Sequence, residues 1–112
     1  MGLSNEAHAY AAGLIDGEGY VAVVNRPDRR AGTPVICVEM TSHEVIIYLR
    51  DTFNLGAIHR CKKREKHHKQ SWKWQVKYRQ AHSVARKIYP YSIEKRIKYT
   101  VFCNIILKML DF

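Results

Sequence analysis

The stretch from residue 9 to residue 21 constrains the fold most strongly, because it predicts a helix that ends abruptly and runs into a strand. Its first half contains three alanines, Leu14 and Ile15, which together favour a helix with an apolar side. We expect the helix to end at Gly17 and Gly19, since glycine readily adopts the backbone angles that terminate helices. The β-branched and aromatic residues 20–25 then predict a strand.

One side of this predicted helix consists of small residues. Ala9, Gly13 and Gly17 recur every four residues and therefore share a helix face. Such a face lets a second helix approach closely, as small residues do between membrane helices. We therefore predict a helix–helix interface on this side.

Two carboxylates, those of Asp16 and Glu18, fall at the C-terminal end of the same helix. The helix dipole is already negative there, so a nearby cation is expected to neutralise them. A surface helix with solvated carboxylates is the alternative that these residues leave open.

Residues 11–19, with the sequence AAGLIDGEG, resemble the motif that names the LAGLIDADG family of homing endonucleases. Ala11 stands where the family has leucine, and Glu18 stands where it has the last aspartate. The apolar, small and acidic positions otherwise agree along the segment. The resemblance implies a metal-dependent endonuclease that recognises and cuts double-stranded DNA.

The composition favours a polyanionic partner. The chain of 112 residues has a net charge of +9 and a sequence pI of about 9.7, and its length suits a single domain, residues 1–112. An acidic membrane is the competing partner, but no basic amphipathic helix stands out. The longest apolar run, residues 100–110, is also too short to span a bilayer. We therefore predict nucleic acid as the partner and no membrane.

The cysteines and histidines give little support for a disulfide framework or a zinc site. Cys37, Cys61 and Cys103 are odd in number and widely spaced, which favours reduced thiols. His67 and His68 follow Cys61, but adjacent histidines in a lysine-rich loop are more often solvated than metal-bound. With no signal peptide visible, we expect an intracellular location, either a bacterial or phage cytoplasm or an organelle.

The chain as a whole predicts an α+β fold with the element order α-β-β-α-β-β-α-α. Further strands are expected over residues 35–41, 57–63 and 72–79, with helices between Ser42 and Gly56, around residues 82–89 and from Ser92 to about residue 110. Paired strands with intervening helices indicate a four-stranded antiparallel sheet with helices on one face. The LAGLIDADG family has this order (αββαββα), with a saddle-shaped sheet that lies on DNA.

Positive charge is concentrated between residues 60 and 79, where nine basic residues and one acid give +8. In the fourth strand the polar residues alternate with apolar ones and so share one sheet face, from which side chains can enter the major groove of DNA. The register of the third strand stays open, since basic residues fall on both of its faces. The predicted DNA-binding residues are Arg26, Arg29, Arg30, Lys62, Lys63, Arg64, Lys66, Lys69, Lys73, Gln75, Lys77 and Arg79.

The family resemblance also implies roles around the motif. Glu18 aligns with the essential acid of the family and would bind Mg²⁺ (or Mn²⁺) together with the backbone carbonyl of Gly17. Lys95 matches a lysine that polarises water or stabilises the transition state, although an ordinary exposed lysine is the alternative. Asp16 is expected to make structural hydrogen bonds. Met40 falls where relatives often place a water-organising glutamine, which is a departure from the family pattern.

One motif supplies one acidic cluster, whereas cutting both strands needs two. The resemblance therefore implies a homodimer through Ala9, Gly13 and Gly17, which would read a pseudo-palindromic site. Two alternatives stay open. One is an intron maturase that uses the same fold to bind intron RNA, and the other is a DNA-binding regulator that no longer cleaves.

Overall fold

The computed structural model describes residues 2–25, 32–63 and 65–102. The elements follow the predicted order: α1 (Gly2–Glu18), β1 (Gly19–Val24), β2 (Thr33–Met40), α2 (His43–Phe53), β3 (Ala57–Arg60), β4 (Trp72–Lys77), α3 (Tyr78–Ile88) and a 3₁₀ turn (Tyr89–Tyr91). A last helix, α4, begins at residue 96 and continues to residue 102, where the described part of the chain ends. Outside the described residues lie the predicted end of this helix, Arg26, Arg29, Arg30, Arg64 and Cys103.

The four strands form one antiparallel sheet in the order β1-β2-β4-β3. Ile36 in β2 lies opposite both Val21 in β1 and Val76 in β4, so these three side chains share a face. All three are at most 1% exposed and belong to one core with Ile15 of α1 and Leu49 of α2. The predicted α+β class and the antiparallel sheet with helices on one face are thereby confirmed.

Helix α1 is longer than the sequence pattern predicts, because it begins at residue 2 rather than near residue 9. Its N-terminal part packs on α2. The His8 ring stacks on Phe53 with centroids 5.6 Å apart, and Tyr10 meets Tyr48 edge-on at 5.4 Å. These contacts stabilise turns that sequence propensity alone does not mark as helical.

The predicted glycine termination of α1 is wrong in its mechanism. The helix ends at Glu18 and β1 begins at the next residue, and neither Gly17 nor Gly19 has a positive φ. A Cβ on Gly19 would lie 2.8 Å from both the Cγ2 atom and the carbonyl oxygen of Ile15. Gly19 is therefore required by close packing against the last turn of α1, and not by a left-handed backbone.

Helix α2 begins as predicted and ends two residues early. The Ser42 hydroxyl accepts a hydrogen bond from the Val45 N–H at 3.4 Å, as expected of an N-cap. Asn54, with a φ of 54°, provides the left-handed C-cap that the sequence assigns to Gly56. Gly56 instead leaves room for Trp74, since a Cβ there would lie 2.6 Å from the Trp74 Nε1 atom.

Two strands are shorter than predicted. β3 ends at Arg60 rather than at residue 63. β4 ends at Lys77 because Tyr78 has a φ of 56° and starts α3, which also makes α3 four residues longer at its N-terminus than predicted. Tyr78 and Arg79 therefore leave the strand, so the prediction that Arg79 shares the polar sheet face is wrong.

Candidate active site and nucleic-acid interface

The end of α1 and the segment leading into α4 are joined through the Asp16 carboxylate. It accepts hydrogen bonds from the Ser92 hydroxyl at 2.6 Å and from the N–H groups of Ile93, Glu94 and Lys95 at 2.8, 3.2 and 3.3 Å. These are backbone donors of the kind that an N-cap satisfies at the start of a helix. The predicted structural role of Asp16 is confirmed, whereas Ser92 is buried and donates to Asp16 rather than capping α4 itself.

Lys95 makes the reciprocal contact. Its Nζ donates to the carbonyl oxygens of Ile15 and Asp16 at 2.7 and 2.8 Å. Carbonyls of the last helical turn lack intrahelical partners and form the negative end of the dipole. The sequence predicts a cation at this end of α1, and the Lys95 ammonium is such a cation.

The hydrogen bonds around Asp16 also set its protonation. Partial burial alone would raise its pKa, but the Ser92 hydroxyl and the three backbone N–H groups outweigh this effect and hold the pKa below its usual value. Asp16 is therefore a carboxylate at neutral pH. Its negative charge faces the positive end of α4, as the helix dipole favours.

Glu18 follows immediately and is in a different environment. Its side chain is exposed, and among the described residues no hydrogen bond or ion pair engages its carboxylate. The Glu18 carboxylate and the Gly17 carbonyl are hard oxygen donors, which suit Mg²⁺ or Mn²⁺. The donors at this end of α1 therefore fit a divalent cation.

The small-residue side of α1 is open in the single chain. Ala11, Ala12 and Ile15 face the core and are fully buried, whereas Gly13 and Gly17 are exposed. A Cβ on either glycine would meet no atom within 4 Å. Ala9 is exposed as well. The residues predicted to form the interface thus lie together on an uncovered helix face.

The face of the sheet away from the helices carries a polar patch, which we call the outer face. Glu39 and His59 lie on either side of Lys73, and Cys37 and Ala57 lie on either side of Gln75. Residues directly opposite each other project to the same side of a sheet. The outer face therefore contains Tyr20, Cys37, Glu39, His59, Lys73, Gln75 and Lys77.

The predicted DNA-binding residues occupy three kinds of position. Lys73, Gln75 and Lys77 lie on the outer face, as the alternation in β4 predicts. Arg79 lies on α3. The connection between β3 and β4 contains four exposed lysines, Lys62, Lys63, Lys66 and Lys69.

Sequence reasoning missed three outer-face residues. His59 was hidden because the register of β3 was open, and its pairing with Lys73 now places it there. Glu39 follows from the alternation in β2, and Ser71 Oγ donates to its carboxylate at 3.1 Å. Tyr20, which is 57% exposed, lies opposite Cys37 on β1. The two-residue period was a usable signal for Glu39 and Tyr20.

Met40, at the position where relatives often have glutamine, lies on the opposite side of the sheet. It ends β2, pairs with Trp72 and packs against the core. Its side chain therefore contributes to packing rather than to organising water.

This combination of a four-stranded antiparallel sheet, helices on one face and a motif helix that ends in acids defines a known fold. The chain has the fold of the LAGLIDADG homing endonucleases, so the resemblance predicted from residues 11–19 is confirmed at the level of the fold.

The homing endonuclease I-CvuI, in complex with its target in the presence of Ca, matches with a TM-score of 0.80 at 19% identity, over 99% of this chain and 72% of that chain. The archaeal intron-encoded homing endonuclease I-Vdi141I, complexed with DNA, matches with a TM-score of 0.69 at 16% identity, over 93% and 69%. The LAGLIDADG meganuclease I-CpaMI, bound to uncleaved DNA, matches with 0.72 at 14% identity, over 93% and 37%.

No protein-family model and no curated protein matches the sequence. Within the described ranges, no helix is both long and apolar enough to cross a membrane.

Replacing Asp16 tests the contact between α1 and α4. Asp16→Ala should destabilise the protein by about 1–2 kcal/mol near neutral pH, because buried donors lose a charged acceptor. The folded-state pKa of Asp16 is lowered from 3.8, so this stabilisation is present above the unfolded pKa and is lost as pH falls through the folded one. Urea unfolding at several pH values measures both effects.

The control is Asp51→Ala, which removes an exposed carboxylate that pairs only with its neighbour Arg50 at 3.4 Å. We expect its effect to stay within about 0.5 kcal/mol at every pH. Equal losses in the two variants would contradict a special role for Asp16.

Proposed function

We propose that the protein is a LAGLIDADG homing endonuclease that cuts both strands of DNA as a metal-dependent homodimer inside the cell. One observation carries this proposal: the fold of DNA-bound homing endonucleases presents, at the end of its motif helix, an exposed acid whose adjoining turn is held by a lysine. The solved structures with this fold support DNA as the substrate class.

Glu18 and the Gly17 carbonyl would hold Mg²⁺ or Mn²⁺ at the end of α1. When bound, such an ion activates water and neutralises charge at the phosphorus. Lys95 has three N–H donors, and the carbonyls of Ile15 and Asp16 use two of them. The third donor can hold a water or a phosphate oxygen, which gives Lys95 a catalytic role beside Glu18.

The open side of α1 supports the homodimer. Gly13 and Gly17 leave space where another helix backbone can pack closely, and each chain has only one motif. A two-fold axis along this face would bring the two Glu18 side chains together, one for each DNA strand. The dimer would then recognise a pseudo-palindromic sequence.

The outer face would lie in the major groove of the DNA. Lys73 and Lys77 are suited to guanine, and Gln75 is suited to adenine. The lysines of the β3–β4 connection would contact phosphates, which add affinity without sequence information. A cognate duplex can be selected by incubation with a randomised library and sequencing of the bound molecules.

Replacing Lys77 tests the outer face. Lys77→Ala should weaken DNA binding and reduce the slope of log affinity against log salt by about 2, one phosphate contact for each chain of the dimer. The matched control is Lys87→Ala on α3, an exposed lysine that lies off the sheet. Fluorescence anisotropy over a salt series measures both, and equal losses in the two variants would rule out this placement.

Replacing Gly13 tests the dimer. Gly13→Leu should leave the chain folded, because its Cβ meets nothing within 4 Å, yet it should separate the two helices and give a monomer. Sedimentation at micromolar concentration, with circular dichroism to verify folding, measures the result. Gln80→Leu adds the same side chain to an exposed position of α3 and should stay dimeric. A wild-type protein that is monomeric with and without DNA would exclude the dimer.

Replacing Glu18 tests the chemistry. Glu18→Gln removes the charge that would bind the ion, so cleavage in Mg²⁺ should fall by several orders of magnitude. Binding in metal-free buffer should be unchanged or tighter, because a carboxylate near the phosphates is lost. Lys95→Met should slow cleavage without abolishing metal binding.

Glu6→Gln, an exposed acid on the same helix, is the control and should cleave normally. Near-wild-type cleavage by Glu18→Gln would refute this active site. A wild-type protein that binds its selected duplex but never cuts it would identify a DNA-binding regulator instead.

A further inference from the structure

We propose that the β3–β4 connection contains a binding site for a transition-metal dication, Zn²⁺ by preference, formed by Glu65, His67 and His68. One ligand atom from each of these three side chains lies within 4.8 Å of the other two. The site is separate from the motif helix and does not depend on the proposed nuclease activity.

The local backbone brings the three side chains together. The His68 N–H donates to the Glu65 carbonyl at 3.1 Å and closes a tight turn. Within it, His67 Nε2 lies 3.1 Å from Glu65 Oε2, and the two imidazole rings meet edge-on with centroids 4.6 Å apart. Because the turn fixes the three Cα positions, the cluster is a property of the folded loop.

The spacing is close to that of a zinc site. Ligand atoms about 2.0–2.1 Å from a tetrahedral Zn²⁺ are about 3.3 Å from one another. The Glu65–His67 pair already has this separation. The third ligand has to approach by at most about 1.5 Å, which rotation of exposed side chains provides.

The donor set selects the class of metal. Two imidazoles and a carboxylate suit Zn²⁺ and its neighbours Co²⁺, Ni²⁺ and Cu²⁺, whereas Mg²⁺ prefers an all-oxygen site such as the one at Glu18. Three protein ligands leave a fourth position for water. The sequence alone pairs His67 with His68 and favours solvated rings, and the turn adds the third ligand, Glu65.

The charge around the cluster limits its affinity. All three ligands are exposed, and Lys66 lies between them in the chain, so a dication meets repulsion that salt partly screens. We therefore expect micromolar binding, weaker than that of a four-cysteine structural site. A bound ion would hold the turn closed at the tip of the β3–β4 hairpin.

The experiment measures metal binding to the whole protein without DNA. After treatment with chelator, Zn²⁺ is titrated in a calorimeter, and Co²⁺ is followed by its visible absorption, which reports coordination geometry. We expect one ion per chain. Each of the variants His67→Gln, His68→Gln and Glu65→Gln should weaken binding by at least about tenfold, because removing one of three ligands leaves an incomplete site.

Three control variants separate this site from other metal ligands. His59→Gln removes a histidine of the outer face, Cys61→Ser removes a nearby thiol, and Glu18→Gln removes the proposed Mg²⁺ ligand. Each should change Zn²⁺ affinity by less than about twofold. Binding weaker than millimolar, or binding that survives all three ligand variants, would overturn the proposal. So would loss of binding in Cys61→Ser.

Discussion

The hydrogen bonds exchanged between Asp16 and Lys95 are the contact on which the candidate active site depends. Asp16 satisfies three backbone N–H groups at the start of the α4 segment, and Lys95 satisfies two carbonyls at the end of α1. Each charge thus lies at the helix end of opposite polarity. The contact joins residues 79 positions apart in the chain and puts an ammonium group on the turn that carries Glu18.

Helix α1 meets two different demands with its small residues. On one side, Ala11 and Ala12 are fully buried and let the helix lie close to the core. On the other side, Gly13 and Gly17 leave the backbone uncovered. Gly19 then allows the chain to pass from helix to strand without a loop. The motif is therefore a packing device on every side, and Glu18 is its one engaging group left without a partner among the described residues.

The sheet separates apolar from polar side chains through strand alternation. Trp74 and Val76 in β4 are buried with the helices, while Lys73, Gln75 and Lys77 project from the outer face. Since β4 lies between β2 and β3, its polar residues occupy the middle of that face. Their position makes the sheet a surface for a polyanion and keeps the helices for the core and for a second chain.

The sequence by itself determined the α+β class, the element order, the Ser42 cap, the outward face of β4 and the structural role of Asp16. These follow from periodicity, from local capping chemistry and from a motif, all of which act over a few residues. Only the tertiary structure decided the rest. The partner of Asp16, the register that exposes His59, the left-handed Tyr78 that removes Arg79 from the sheet and the turn that joins Glu65 to two histidines all depend on where distant or turning segments pack. No short-range pattern contains that information, because the free energy that selects those positions comes from contacts between segments far apart in the chain or from the closure of a turn.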